Sequence, residues 1–219
     1  MHGIEIPQFL GYRKGVLKHV HMPRIVDHDQ RRAELTEAVW SLIREQGLAG
    51  VTIRNLSERS GWSSGAIRHY LPNREAILNF AAQQIGERAW QRLQAIPTSD
   101  DLFQDFLNRL EVTLPLDEEG RVWLEVWLAF VGAAVSDQDF ADAQGVLYRD
   151  LNAVFVEAFS GFAQRGWLPA SDPQAAATEI HALLDGLSVH LLLHQITPQQ
   201  ARTTLQVALS RMLIDPGSA

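Results

Sequence analysis

The stretch Thr52–Leu78, TIRNLSERSGWSSGAIRHYLPNREAIL, decides how the rest of the chain is read. Apolar residues at helical spacing lie on both sides of SGWSS, and only a tight turn fits between them. Thr52 is a natural N-cap for the first helix and Ser63 for the second, with Gly61 ending the first. A helix, a three- or four-residue turn containing glycine and a second helix make a helix-turn-helix. In its DNA-binding form the second helix enters the major groove with its N-terminal residues at the base edges. The same corner also occurs in bundles that bind no nucleic acid, so the side chains must decide.

Those side chains favour DNA. Ser63 and Ser64 put short donors and acceptors at a helix N-terminus, where free N–H groups favour a phosphate. Gly65 and Ala66 remove bulk, so the helix can approach a groove closely. Arg68 can take guanine O6 and N7 in a bidentate contact, worth about 1–3 kcal/mol of discrimination. His69, Tyr70 and Arg74 sit where the helix leaves the groove and suit phosphate oxygens.

Charge agrees in its distribution rather than its sum. The net charge is −7, yet residues 1–74 hold 11 Lys/Arg against 7 Asp/Glu while residues 75–219 hold 8 against 19. A basic head on an acidic body implies that only the head meets a polyanion. The chain has no cysteine, which excludes disulfides and thiolate metal sites. No apolar run approaches the ~20 residues of a membrane span, and the first residues lack a secretory pattern. A cytoplasmic protein with no membrane partner is expected.

The spacing throughout predicts an all-α fold of nine helices, with no convincing period-2 strand. The first runs from about Asp29 to Gln46, carrying an apolar stripe of Leu35, Val39, Leu42 and Ile43 and closed by Gly47. After the helix-turn-helix pair, Asn73 caps a fourth helix to about Ile96. Ser99-Asp100-Asp101 opens one ending near Pro115, and Asp117-Glu118-Glu119 opens one reaching Val135. A long helix spans roughly Asp139 to Arg165. Asp172-Pro173 starts another to about His194, and a capping box at Thr197–Gln200 starts the last, to about Leu213.

Here a resemblance enters. RRAELTEAVWSLIREQGLAGVTIRNLSERSGWSSGAIRHYLPNREAIL resembles the N-terminal domain of TetR/AcrR-type bacterial transcriptional regulators. RVWLEVWLAFVGAA (Arg121–Ala134) with LLDGLSVHLL (Leu183–Leu192) resembles the BetI-like subgroup, which includes a choline-responsive repressor. The resemblance implies a three-helix DNA-binding domain over residues 24–74 and a six-helix effector-binding and dimerisation domain over 75–219. It also implies phosphate contacts from Thr52, His69, Tyr70 and Arg74, a double-stranded palindromic operator, a homodimer, and release by a small molecule. The chain departs from the family pattern at Trp62, usually a small aliphatic residue, at Arg68, commonly Tyr, and at Leu71, usually Phe. Trp62 is read as bulkier packing of the turn, and Arg68 as a change in the bases read. Residues 1–23 precede the matching part. Arg13, Lys14 and Lys18 could form a basic arm; a tail, or a true start at Met22, are the alternatives.

In the body, Glu125 is the only charged residue from Val122 to Val135. Such a helix is buried, and a buried carboxylate requires a cationic partner, a water path or a cationic ligand. Arg121 or Arg109 is one expected partner. The other reading is an aromatic site for a cationic effector, built from Trp123, Glu125, Trp127 and Phe130 with Trp90, Phe103, Phe106, Tyr148, Asn152, Phe155 and Phe159.

His181, Asp185, His190 and His194 share one predicted helix, and an all-α enzyme using the three histidines is a rival reading. Without an HExxH pattern or nucleophile–base spacing, no metal, cofactor or catalytic residue is expected. A helical interaction module that has lost DNA binding is the other rival, and the retained Arg68, His69 and Arg74 speak against it. Ile180, Leu184, Leu187 and Leu191 form one apolar stripe, Leu205, Leu209 and Met212 another, and both are expected at a four-helix dimer interface; the alternative is that both face the core of one subunit.

Overall fold

A computed structural model describes residues 25–168 and 172–214. The readings given for residues 1–23 lie outside the described residues. Among those described, the chain forms nine α-helices, one 3-10 turn and no strand, so the fold is all-α. The helices are α1 Ile25–Gln46, α2 Ile53–Ser60, α3 Ser64–Tyr70, α4 Arg74–Ala95, α5 Leu102–Glu111, α6 Glu118–Ala134, α7 Gln138–Gln164, α8 Pro173–Leu192 and α9 Pro198–Met212.

The caps fall where the sequence places them. Thr52, Ser63, Asp172 and Thr197 each accept a backbone N–H two or three residues into their helix. Thr197 and Gln200 complete the capping box. Three boundaries differ. Helix α1 begins at Ile25, four residues before the expected start. Helix α5 stops at Glu111 because the next three amides bond carbonyls only three residues back, a 3-10-type tightening. Helix α8 stops at Leu192, which leaves His194 beyond it in the left-handed region (φ 54).

Contacts group the chain into two units that do not follow chain order. One holds the described residues up to Arg88 together with Val122–Asp142; the other holds Ala89–Arg121 and the described residues from Ala143 onward. Helix α4 therefore contributes its first part to one unit and its second part to the other.

In the first unit the predicted stripe Leu35, Val39, Leu42 and Ile43 is buried together with Leu56, Ile67, Ile77 and Ala81. Polar bonds tie α1 to α4 inside this core. The Trp40 indole N–H donates to the Ala81 carbonyl at 3.0 Å, and the buried Thr36 hydroxyl bonds Gln84 at 3.1 Å. In the second unit Phe155, Phe159 and Phe162 of α7 join Leu107 and Leu110 of α5 and the inner faces of α8 and α9.

Those inner faces correct the dimer-interface expectation. Ile180, Leu184, Leu187, Leu191, Leu205, Leu209 and Met212 are all buried in the single chain and belong to its core. A helical stripe reports that a face is buried, and here the neighbouring helices of the same subunit cover it. The faces left open are Ala182, Gly186, Val189 and Leu193 on α8, and Thr203, Val207, Ser210 and Ile214 on and just past α9.

Candidate nucleic-acid interface and ligand cavity

The helix-turn-helix is assembled by local bonds that its sequence dictates. Gly61 takes the left-handed conformation (φ 73) that ends α2, and its N–H bonds the Ser57 carbonyl. The Ser57 hydroxyl donates to the Trp62 carbonyl at 2.6 Å, closing the turn. The Ser63 hydroxyl oxygen accepts the Ala66 N–H at 3.1 Å, and Thr52 accepts the Asn55 N–H at 3.0 Å. Both cap oxygens thus serve the helices first and keep a hydroxyl hydrogen for another acceptor.

Helix α3 has one buried side, fixed by Ile67, with Leu71 buried just beyond its end. Its other side exposes Gly65, Arg68, His69 and Tyr70, while Ser64 and Ala66 are half-buried. Arg68 is exposed and has no bonding partner among the described residues. A methyl group added at Gly65 would meet nothing nearer than the Ser63 hydroxyl at 3.9 Å, so internal packing does not require glycine there. Arg74 donates to the Leu48 carbonyl at 2.8 Å, which ties the start of α4 to the turn after α1.

Other cations of this unit are engaged by acids. Arg54 pairs with Glu58 at 2.9 Å, and Arg32 with Glu87 at 2.6 Å. Arg59 donates to Glu45 at 2.6 Å; hydrogen bonds from Arg59 and Ser41 hold the Glu45 carboxyl down to about 2. Glu125 is ion-paired with Arg44 of α1, a partner not among those expected from the sequence. Arg109 is held instead by Asp105, with a bond of 2.7 Å.

The second unit contains a cavity of about 120 Å³ between α4, α5 and α7. Trp90 and Leu93 of α4, Phe106 and Leu110 of α5, and Val154 and Phe155 of α7 form its apolar walls. The Asp105–Arg109 pair lies in the wall, each side chain about one-sixth exposed (15% and 16%), and Glu157 and Thr113 add polar groups. Of the residues expected at an effector site, Trp90, Phe106 and Phe155 meet here. Phe103, Trp123, Glu125, Trp127, Phe130, Tyr148 and Asn152 are not among the lining residues. Trp123 and Phe130 are buried, and Phe130 packs on Phe140 in the other unit.

Beside the cavity, His181 of α8 is buried with its ring stacked on Tyr148 (5.0 Å between centroids) and edge-on to Phe155 (5.4 Å). Phe155 is thus shared by the cavity wall and the histidine. Burial pushes the His181 pKa down against the pull of Asp185. Asp185 is pushed up by loss of solvent around its carboxyl, opposed by His181 and by a hydrogen bond from Tyr148. His190 and His194 are exposed, and no three His, Cys, Asp or Glu side chains gather as a metal-holding group among the described residues.

Residues 107–214 match the model of the BetI-type transcriptional repressor C-terminal domain. The chain is 31% identical over 184 residues to the HTH-type transcriptional regulator PksA of Bacillus subtilis, covering 83% of this chain and 88% of that protein. It is 27% identical over 169 residues to the HTH-type transcriptional regulator BetI of Paraburkholderia phytofirmans, covering 76% and 84% of the two chains. Among solved structures, a TetR transcription regulator from Haloarcula marismortui superposes with a TM-score of 0.70 at 18% identity, over 85% of this chain and 100% of that one. A Saccharomonospora viridis protein in complex with choline gives 0.70 at 21% identity, over 85% and 99%. The chain therefore belongs to the TetR family of transcriptional regulators, with a BetI-type C-terminal domain.

Proposed function

We propose that the chain is a repressor that binds an inverted-repeat operator as a homodimer and releases it when a small molecule fills the cavity of the body. The observation that carries this reading is the outer side of α3. Gly65 is small there without an internal reason, and Arg68 is exposed beside it. In this reading residues 24–74 are the DNA-binding head and 75–219 the effector-binding and dimerising body. Arg68 reads a base edge, while Thr52, Ser63, Ser64, His69, Tyr70 and Arg74 hold the backbone and Gly65 and Ala66 allow close approach.

The dimer forms through the open faces of α8 and α9. Ala182, Gly186, Val189 and Leu193 recur at intervals of four, three and four, as do Thr203, Val207, Ser210 and Ile214. Both sets fit one side of a helix. At Gly186 an added methyl group would meet nothing within 4 Å, which leaves room for a second helix to lie close. Two copies of this pair make an isologous four-helix interface.

Release follows from helix α4. Ile77, Leu78 and Ala81 of its first half are buried in one unit, and Trp90 and Leu93 of its second half line the cavity of the other. A ligand that fits the cavity only when α4 is displaced stabilises the displaced arrangement by its differential affinity. Operator affinity falls by the same factor. The effector is cationic: with Asp105 neutralised by Arg109, Glu157 leaves the lining one net negative charge, and Trp90, Phe106 and Phe155 supply ring faces that attract cations. The choline held by the Saccharomonospora viridis relative is of this class.

The test is titration calorimetry with choline and tetramethylammonium, followed by operator release, on the wild type and Val154→Trp. Binding that is lost on filling the cavity with Trp, together with release, supports the reading. Binding and release that survive Val154→Trp would place the effector elsewhere.

A further inference from the structure

Trp62 occupies the turn between α2 and α3. Its ring does not stay in the turn. It meets Tyr70, the last residue of α3, edge-on at 5.9 Å between centroids, and Tyr70 in turn meets His69 at 5.3 Å. The turn residue two positions before the short helix is thereby joined to the residue at its far end. On the same ring lies the guanidinium of Arg31 of α1, 5.7 Å from the centroid. Arg31 and Tyr70 are both exposed.

We propose that Trp62 is a positioning residue for DNA binding, and that the cation it carries, Arg31, is a backbone contact that the helix-turn-helix pattern alone does not include. This rests on the operator-binding reading for its partner but not for its test. A seven-residue helix is about 10 Å long and marginal by itself, so what fixes its two ends decides the direction of its side chains. Ser63 fixes the N-terminal end by capping. Trp62 fixes the C-terminal end through Tyr70, which sets where Tyr70 and His69 point. When α3 lies in a groove, groups carried on the helix reach base edges, and a cation held beside the helix meets the flanking phosphates. Arg31 is such a group. It comes from α1 and is placed next to the end of α3 by the indole face, a geometry that suits a planar guanidinium.

The experiment measures affinity against salt for the full chain, using two probes: an inverted-repeat duplex selected from a random pool, and a random-sequence duplex. The variants are Arg31→Gln, Trp62→Phe, Trp62→Ala and the Arg31→Gln/Trp62→Ala double, each checked for folding by circular dichroism and thermal denaturation. Each phosphate contact contributes about 0.9 to the slope of log K on log salt. Arg31→Gln is expected to flatten the slope by about 0.9 per subunit engaged, equally on both probes and without changing the selected sequence. Trp62→Ala is expected to flatten it at least as much. Trp62→Phe, which keeps a ring, retains most of the slope. The double variant is no flatter than Trp62→Ala, because Arg31 acts through that ring.

An unchanged slope for Arg31→Gln overturns the proposal, as does an Arg31→Gln effect that adds in full to that of Trp62→Ala. If the wild type prefers no sequence, the operator reading fails, and the slopes on random duplex still decide the role of Arg31 and Trp62.

Discussion

Arg44, near the end of α1, is ion-paired with Glu125 in the middle of α6, across 81 positions of sequence. The single charged residue of the stretch Val122–Val135 thus has a protein cation, and both groups lie in one unit. With side chains 36% and 30% exposed, the pair is solvent-screened and contributes about 0.5–1 kcal/mol at most.

Removing this pair is expected to show where the effector is not. A double-mutant cycle on Arg44→Ala and Glu125→Ala, read by urea denaturation, should return a coupling of about 0.5 kcal/mol. Glu125→Gln should leave choline binding unchanged, since Glu125 is not among the residues lining the cavity. Loss of binding in a folded Glu125→Gln protein would make Glu125 an effector ligand after all.

Gly65→Ala separates the needs of the fold from those of DNA. Replacing a helical glycine where space is open should stabilise the protein by about 0.5–1 kcal/mol. The same methyl group stands on the side of α3 that approaches the groove, so operator affinity should fall. A stabilised variant with unchanged DNA affinity would remove Gly65 from the interface.

The two sides of α8 should respond differently. Leu187→Ala deletes a side chain in the core of one chain and should cost about 2–5 kcal/mol of folding stability. Val189→Glu, on the open face at 38% exposure, should leave the subunit folded but monomeric by analytical ultracentrifugation. A dimeric Val189→Glu protein would place the interface on another surface.

Stability should fall as the pH drops below 6.5, and His181 should be a main cause. Its folded pKa lies below the ordinary 6.5, so in that window the unfolded chain binds more protons and gains on the folded one. The raised carboxyl of Asp185 acts in the opposite sense, since the folded state takes up its proton at higher pH. Urea midpoints of His181→Phe across this range should therefore fall less steeply than those of the wild type. Parallel curves would show that His181 does not carry the dependence.

Much of this molecule is legible from local chemistry. The caps at Thr52, Ser63, Asp172 and Thr197, the left-handed Gly61 and the α1 stripe depend on neighbours a few residues away, and the structure has them as the spacing predicts. What could not be read is which distant surface meets each face. The periodicity of Leu184, Leu187 and Leu191 shows a buried side, and only the folded chain reveals that its own helices bury it. The pairing of Arg44 with Glu125 is illegible for the same reason: they lie 81 positions apart in sequence. The cavity takes Trp90, Phe106 and Phe155 from three helices, and a helix-face argument finds these three while also admitting Trp123 and Phe130, which pack elsewhere. Arg31 had a signal that went unused, because a Trp beside a short recognition helix invites the question of what its faces hold.

The most direct test of the central claim is selection from a pool of random duplex DNA by the purified protein at one stated salt concentration, followed by sequencing and repeated with Arg68→Ala. The expected result is an inverted repeat with half-sites about one helical turn apart or more, bound about 10³-fold or more tighter than bulk DNA. Arg68→Ala should lose preference at one position in each half-site, by about 1–3 kcal/mol. A folded dimer that enriches no sequence, or an Arg68→Ala protein that selects the same repeat with the same preference, would contradict the account.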